Sequence, residues 1–313
     1  LRDSNLTGFR LPKDIERLIV TLFADDTTVY LSEHDSFNEL QTILLTWCRA
    51  SGAKFNVAKT VVIPAGSEEY RLRVCTNRQL SEDQQQIPEE IKIARDGEPV
   101  RVLGALIGNK VDQVNVWSPV IEKVNKRLSQ WERGHPTPEG RRLLYHFVIV
   151  NMDVGGQTQY LTRVQGMPTD VETLIAKRIT RFVWADSTAM VNIETMQAPH
   201  VQGGKSLLDI ARRNRAIELM KLRTYLLPPA ERPRWALVAD ELMGKALPKS
   251  HVQVQENVKL NVFLQNWKPQ TRKGTKLSQG IRRLLREAEK SNLRLDLPSP
   301  SINLLRSLPV WHH

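Results

Sequence analysis

Apolar residues fall into two patterns along this 313-residue chain: short runs closed by turn residues, and stripes at helical spacing. Leu18, Ile19, Val20, Leu22 and Phe23 lead into Asp25-Asp26, and Val29, Tyr30 and Leu31 lead away. Both alternating faces of the leading run are apolar apart from Thr21, which predicts a central strand buried on both sides and a turn at the two aspartates. Ser36-Phe37-Asn38-Glu39 is a capping box before Leu40, Ile43, Leu44 and Trp47 at helical spacing, and Gly52 stands where a helix C′ residue is expected. Val61 to Ile63 predicts a strand. Ile91-Lys92-Ile93 and Val100 to Leu103 predict a hairpin around Asp96-Gly97, with Ser67 to Glu98 an insertion around that hairpin rather than core.

Beyond residue 110 the period is helical. Ser118 as N-cap with Pro119 at N1 predicts a helix carrying Val120, Val124, Leu128 and Trp131 on one stripe. Thr169 to Glu172 predicts a second capping box, before Leu174, Ile175, Ile179 and Phe182. A third helix is predicted from Asp209 to Leu227. Each stripe reads as bundle core, and Trp117 and Trp131 as core rather than base-stacking residues. The fold class is therefore α+β. Residues 1–110 are mixed, 111–190 are helical, and 191–313 form a basic helical region that is partly linker.

Charge sharpens this division. The chain holds 45 Lys and Arg against 34 Asp and Glu, a formal charge of +11. Residues 1–110 carry 14 basic and 16 acidic residues, whereas 111–313 carry 31 and 18. An acidic first part and a strongly basic second part suit a nucleic-acid partner. Lys123, Lys126, Arg127, Lys177, Arg181, Arg212 and Arg213 lie off the apolar stripes and are the candidate phosphate contacts. Residues Arg272 to Lys276 form a further basic segment suited to phosphate contact, nuclear targeting or a solvated linker. Cys48 and Cys75 give neither a zinc pair nor a disulfide framework, which fits a reducing compartment, nucleus and cytoplasm. The apolar runs are too short for a membrane span.

Asp25 and Asp26 are the candidate chemistry. Two like charges side by side are unfavourable until a divalent cation sits between them. Oxygen-only ligands suit Mg²⁺ or Mn²⁺, and a paired-metal site drives nucleotidyl transfer. The alternative is a solvated acidic turn. No Walker loop, Ser-His-Asp set or His/Cys ligand cluster competes.

The order of motifs narrows the choice. Phe23-Ala24-Asp25-Asp26, a helix, Gly52-Ala53-Lys54-Phe55-Asn56-Val57-Ala58-Lys59 with its strand, and Leu103-Gly104-Ala105-Leu106-Ile107-Gly108 follow one another. This order resembles the palm of reverse transcriptases, those of non-LTR (LINE-type) retrotransposons above all. Residues 119–150 and 168–184 resemble the thumb and the helix after it, and Gly203 to Ile210 resembles a downstream Gly-Gly motif. The likeness extends to about residue 225.

The resemblance implies an RNA-directed DNA polymerase working on an RNA template, a DNA primer and dNTPs. Asp25 and Asp26 would hold Mg²⁺, Lys59 would meet the departing pyrophosphate, and the hairpin with Leu103, Gly104 and Gly108 would grip the primer. It also calls for a third aspartate from an earlier palm strand. Only Leu1 to Ala24 precede Asp25, so the expectation is an internal piece of a longer polyprotein, or a truncated copy, that is inactive alone. A non-catalytic nucleic-acid-binding remnant is the alternative.

Overall fold

A computed structural model describes residues 1–10, 17–144, 154–185, 188, 190–228, 230–247, 269–271, 277–291, 302 and 306 of the protein. The chain is α+β and divides into two units, Leu1–Val120 and Ile121–His313.

Among the described residues of the first unit, strands pair two by two: β1 (Phe9–Arg10) with β2 (Arg17–Leu18), and β3 (Val20–Phe23) with β4 (Asp26–Val29), both antiparallel. Helix α1 (Phe37–Ser51) starts and stops where its capping residues dictate. The Ser36 hydroxyl accepts from the Glu39 N–H at 3.3 Å, and Gly52, at φ +72°, donates to the Cys48 carbonyl at 2.9 Å. Leu40, Ile43 and Leu44 of its stripe close on Leu6, Ile19, Val29 and Leu31 to make the core beneath the β3–β4 hairpin.

Two sequence expectations are corrected here. Strand β3 is not buried on both sides: Leu22 is 70% and Phe23 67% exposed. Among the described residues no third strand joins the pair, so only Ile19 at its root reaches the core. The stretch Ser67 to Glu98 is core rather than insertion. It holds helix α2 (Glu68–Asn77), and Leu80, Ile87 and Ile91 pack with Leu31, Phe37, Val62 and Ile93. Arg78 closes that stretch, its guanidinium donating to the carbonyls of Ile87, Pro88 and Ile91 at 2.5–2.9 Å.

The expected pairing of Ile91–Ile93 with Val100–Leu103 is also replaced. β6 (Lys92–Ile93) runs parallel to β5 (Val61–Val62), and β7 (Val100–Val102) pairs with β8 (Ala105–Ile107). Asp96-Gly97 still turns the chain, but the turn is anchored elsewhere. Arg71 of α2 grips the Asp96 carboxylate through two hydrogen bonds of 2.8 and 2.7 Å, and the guanidinium holds that carboxyl down to about 2.

Helix α3 (Gln113–Glu132) begins earlier than Ser118, because the Asp112 carboxylate accepts from the Val114 N–H at 2.9 Å and caps it. Pro119 therefore lies inside the helix, where its missing N–H leaves the Asn115 carbonyl without its usual intrahelical partner. The boundary between the units falls within α3. Val124 and Leu128 are buried as the stripe predicts, and Trp117 is fully buried, while Trp131 is exposed.

The second unit is helical: α4 (Pro138–Leu144), α5 (Val154–Gln165), α6 (Thr169–Trp184), α7 (Ile193–Gln197), α8 (Ile210–Tyr225), α9 (Arg234–Lys245) and α10 (Gln279–Lys290). Its core gathers Leu222, Tyr225, Ala236, Ala239, Met243, Leu284, Leu285 and Ala288 from α8, α9 and α10. The capping box at Thr169 does not form. Pro168 takes the cap position without a side-chain bond, and the Glu172 carboxylate instead accepts from the Asn214 amide on α8 at 2.8 Å. Leu174 is half-exposed, off the buried face of Val171, Ile175, Ile179 and Phe182. Asp209 caps α8 by accepting from the Arg212 N–H at 3.0 Å.

Candidate active site

The register of β3 and β4 places Phe23 opposite Asp26, so Ala24 and Asp25 are the two central residues of a tight hairpin. Two-residue hairpin turns need a positive φ at the first central position, which glycine supplies at least cost. Here Ala24 occupies it at φ +52°. Asp25 sits in the turn, Asp26 opens the return strand, and both are exposed. The two carboxylates therefore share the hairpin tip, as the sequence predicts.

The root of the hairpin is held by a residue the sequence reading overlooked. Asp35 is buried, and its carboxylate accepts three backbone N–H groups: Thr7 at 2.6 Å, Gly8 at 2.8 Å and Ser32 at 2.7 Å. One side chain thus ties the N-terminal segment to the turn after β4. Above it, the Tyr30 N–H donates to the Ile19 carbonyl at 2.7 Å. The pair Asp25-Asp26 projects from this fixed base.

Carboxylate oxygens are the donor type a hard divalent cation takes, and both side chains at the tip are exposed. Among the described residues no group of three or more His, Cys, Asp or Glu could hold a metal ion. The two side chains at the tip are Asp25 and Asp26.

Lys59 ends a one-turn 3-10 helix (Val57–Lys59) and is exposed. Three residues of its motif have a local structural role: Gly52 closes α1, Phe55 packs on Trp47, and the Asn56 carboxamide accepts from the Lys59 N–H at 3.2 Å. The strand after Lys59 pairs with β6, not with the aspartate hairpin.

The β7–β8 hairpin turns at Leu103 and Gly104, both at positive φ, +48° and +81°. Leu103 and Ile107 are exposed while Ala105 is buried, so the hairpin presents an apolar edge. Gly108 is set by packing: a Cβ there would lie 2.6 Å from the Glu98 carbonyl oxygen and 2.8 Å from a Val111 methyl.

In the helices, Lys123, Lys126 and Arg127 of α3 and Lys177 and Arg181 of α6 are exposed. Arg178 joins these two helices through a bidentate pair with Glu132 at 2.9 and 3.0 Å. Arg212 is exposed but paired with Asp209 at 3.0 Å. Arg213 departs from the expectation of a free phosphate contact: it donates to the Thr158 hydroxyl at 2.7 Å and to the Asn214 carboxamide at 2.8 Å, which binds it into helix packing. The segment 272–276, residues 145–150 and the C-terminal 311–313 lie outside the described residues. Among the described residues no helix is long and apolar enough to cross a membrane.

No protein-family model and no curated protein matches this sequence.

Proposed function

We propose that this chain is the C-terminal palm and thumb part of an RNA-directed DNA polymerase of the non-LTR retrotransposon type, working by metal-assisted nucleotidyl transfer. The observation that carries the reading is the hairpin tip, where the Phe23–Asp26 register puts Asp25 and Asp26 side by side at the end of an apolar strand. The exposed apolar side chains at the end of β3 support it further. Leu22 and Phe23 fit a strand meant to be covered, and an isolated two-stranded hairpin is marginal in water.

Asp25 and Asp26 would hold Mg²⁺ or Mn²⁺ with a third carboxylate from an upstream palm strand. A metal held there would supply Lewis acidity toward the α-phosphate and the primer 3′-hydroxyl. Lys59 neutralises or protonates the departing pyrophosphate. The β7–β8 hairpin holds the primer end, and the cations of α3 and α6 contact duplex phosphates without reading sequence.

Primer extension tests the assignment. With an RNA template, a DNA primer, dNTPs and Mg²⁺, the purified chain is expected to give no product, because two carboxylates cannot position both metals. Joined to an upstream reverse-transcriptase palm segment, it is expected to extend the primer, and EDTA stops the reaction. Extension by the chain alone that survives Asp25→Ala sinks the assignment. A joined polypeptide that folds and binds primer–template, yet makes no product, leaves the non-catalytic nucleic-acid-binding remnant.

A second expectation concerns the helices. Binding to primer–template duplexes should be indifferent to sequence and weaken steeply with salt. If about five phosphates are neutralised, the log–log slope is about −4 to −5. Affinity that ignores ionic strength in a filter-binding titration points to a protein partner instead.

A further inference from the structure

The stripe of α1 leaves the core before it ends. Leu40 is buried, whereas Trp47, two turns on, is 51% exposed and meets Phe55, itself 36% exposed, with ring centroids 5.5 Å apart and planes tilted by 42°. Gly52 makes the contact: its left-handed turn ends the helix and folds the chain back, so Phe55 returns to the last turns of α1. From Leu40 to Ser67 the chain contains no Asp or Glu, yet it carries Arg49, Lys54 and Lys59. Among the described residues none of these cations has an ion-pair partner. This uncompensated charge lies within a part of the chain that otherwise holds more acid than base.

We infer that the Trp47–Phe55 pair is a stacking platform for single-stranded nucleic acid, with an unpaired base on the rings and its neighbouring phosphates on Arg49 and Lys54. Exposed aromatic faces in a stretch of chain whose cations have no ion-pair partner among the described residues suit a polyanion whose bases offer a free π-face. A duplex hides those faces inside its own stack, so the platform discriminates strandedness and tolerates any sequence. A purely apolar protein partner gives no account of the missing carboxylates. The inference goes beyond the polymerase reading. Its test needs no polymerisation, so an inactive chain leaves it standing.

The experiment is fluorescence anisotropy of the full chain with labelled oligo(dT) of about 15 nucleotides, a length near the site size of such surfaces, and in parallel with a duplex of matched length. Trp47→Ala/Phe55→Ala is expected to weaken oligo(dT) binding roughly 5- to 150-fold per stacked base while leaving duplex binding unchanged. Trp47→Phe should retain most of the affinity. Arg49→Gln/Lys54→Gln should reduce the magnitude of the single-strand salt slope by about 1.4. Unchanged oligo(dT) affinity in the double aromatic variant overturns the inference, and so does an equal loss on duplex. Should that variant fail to fold, tryptophan oxidation mapped by mass spectrometry on the unaltered chain decides. Oligo(dT) protects Trp47 where inorganic polyphosphate does not; equal oxidation of Trp47 with both overturns the platform.

Discussion

Asp25→Asn, in a polypeptide joining this chain to an upstream palm segment, is expected to cut primer extension roughly a thousandfold. A divalent ion contributes several kcal/mol of transition-state charge stabilisation, and about 4 kcal/mol corresponds to roughly three orders of magnitude. Asn preserves the size and turn preference of the side chain, so the hairpin at Ala24-Asp25 keeps its register and the loss reports charge rather than shape. Single-turnover extension at saturating primer–template separates the two: the rate falls while affinity for the duplex holds. A rate within tenfold of the parent polypeptide removes Asp25 from the proposed metal site.

Asp35→Ala is expected to destabilise the first unit by about 3–5 kcal/mol, since three backbone N–H groups lose their acceptor and each unsatisfied donor costs about 1–3 kcal/mol when buried. Only the Gly8 bond is fully buried, and the Thr7 and Ser32 bonds are partly so, which places the sum at the lower end of the simple total. A domain of ordinary stability has roughly 5–15 kcal/mol in hand, so much of the unit's margin goes. Asp35→Asn, which keeps one accepting oxygen, should fall between the two. Urea unfolding followed by tryptophan fluorescence measures the loss, and a shift below about 1 kcal/mol in Asp35→Ala contradicts the role given to this carboxylate.

The contrast between these two aspartates explains what the sequence could and could not reveal. Asp25 was legible because its setting is local: an apolar run, a two-residue turn and a return strand fix its position within a few residues. The α1 cap at Ser36 and the stop at Gly52 were legible for the same reason. Asp35 was not, because its partners Thr7 and Gly8 lie 28 and 27 residues away and nothing around it marks the pairing. Long-range partners also displaced local signals elsewhere. Glu172 abandoned its capping role for Asn214, 42 residues on, and Val61–Val62 chose a parallel partner that no turn announces. Exposure of Leu22 and Phe23 was equally hidden, since an apolar strand records what it is suited to pack against rather than what covers it. Pro119 misled for a different reason. Asp112 supplies a helix start six residues earlier, and the favourable N1 setting of Pro119 was not used.

The contact between Arg283 and the end of α5 sets an order of events in synthesis. The guanidinium donates to the Gln165 carbonyl across 118 residues and lies over Gly166 so closely that a Cβ there would fall 2.1 Å from it. It also reaches Glu218, which is buried on α8. A chain emerging from the ribosome has made α5 and α8 long before α10 arrives. Until then the apolar flank of Leu222 and Tyr225 lacks Leu284 and Leu285, and the Glu218 carboxylate lacks the Arg283 guanidinium. The helical unit thus waits on its last described helix, and a nascent chain stalled short of residue 283 carries an open apolar flank with a carboxylate at its edge.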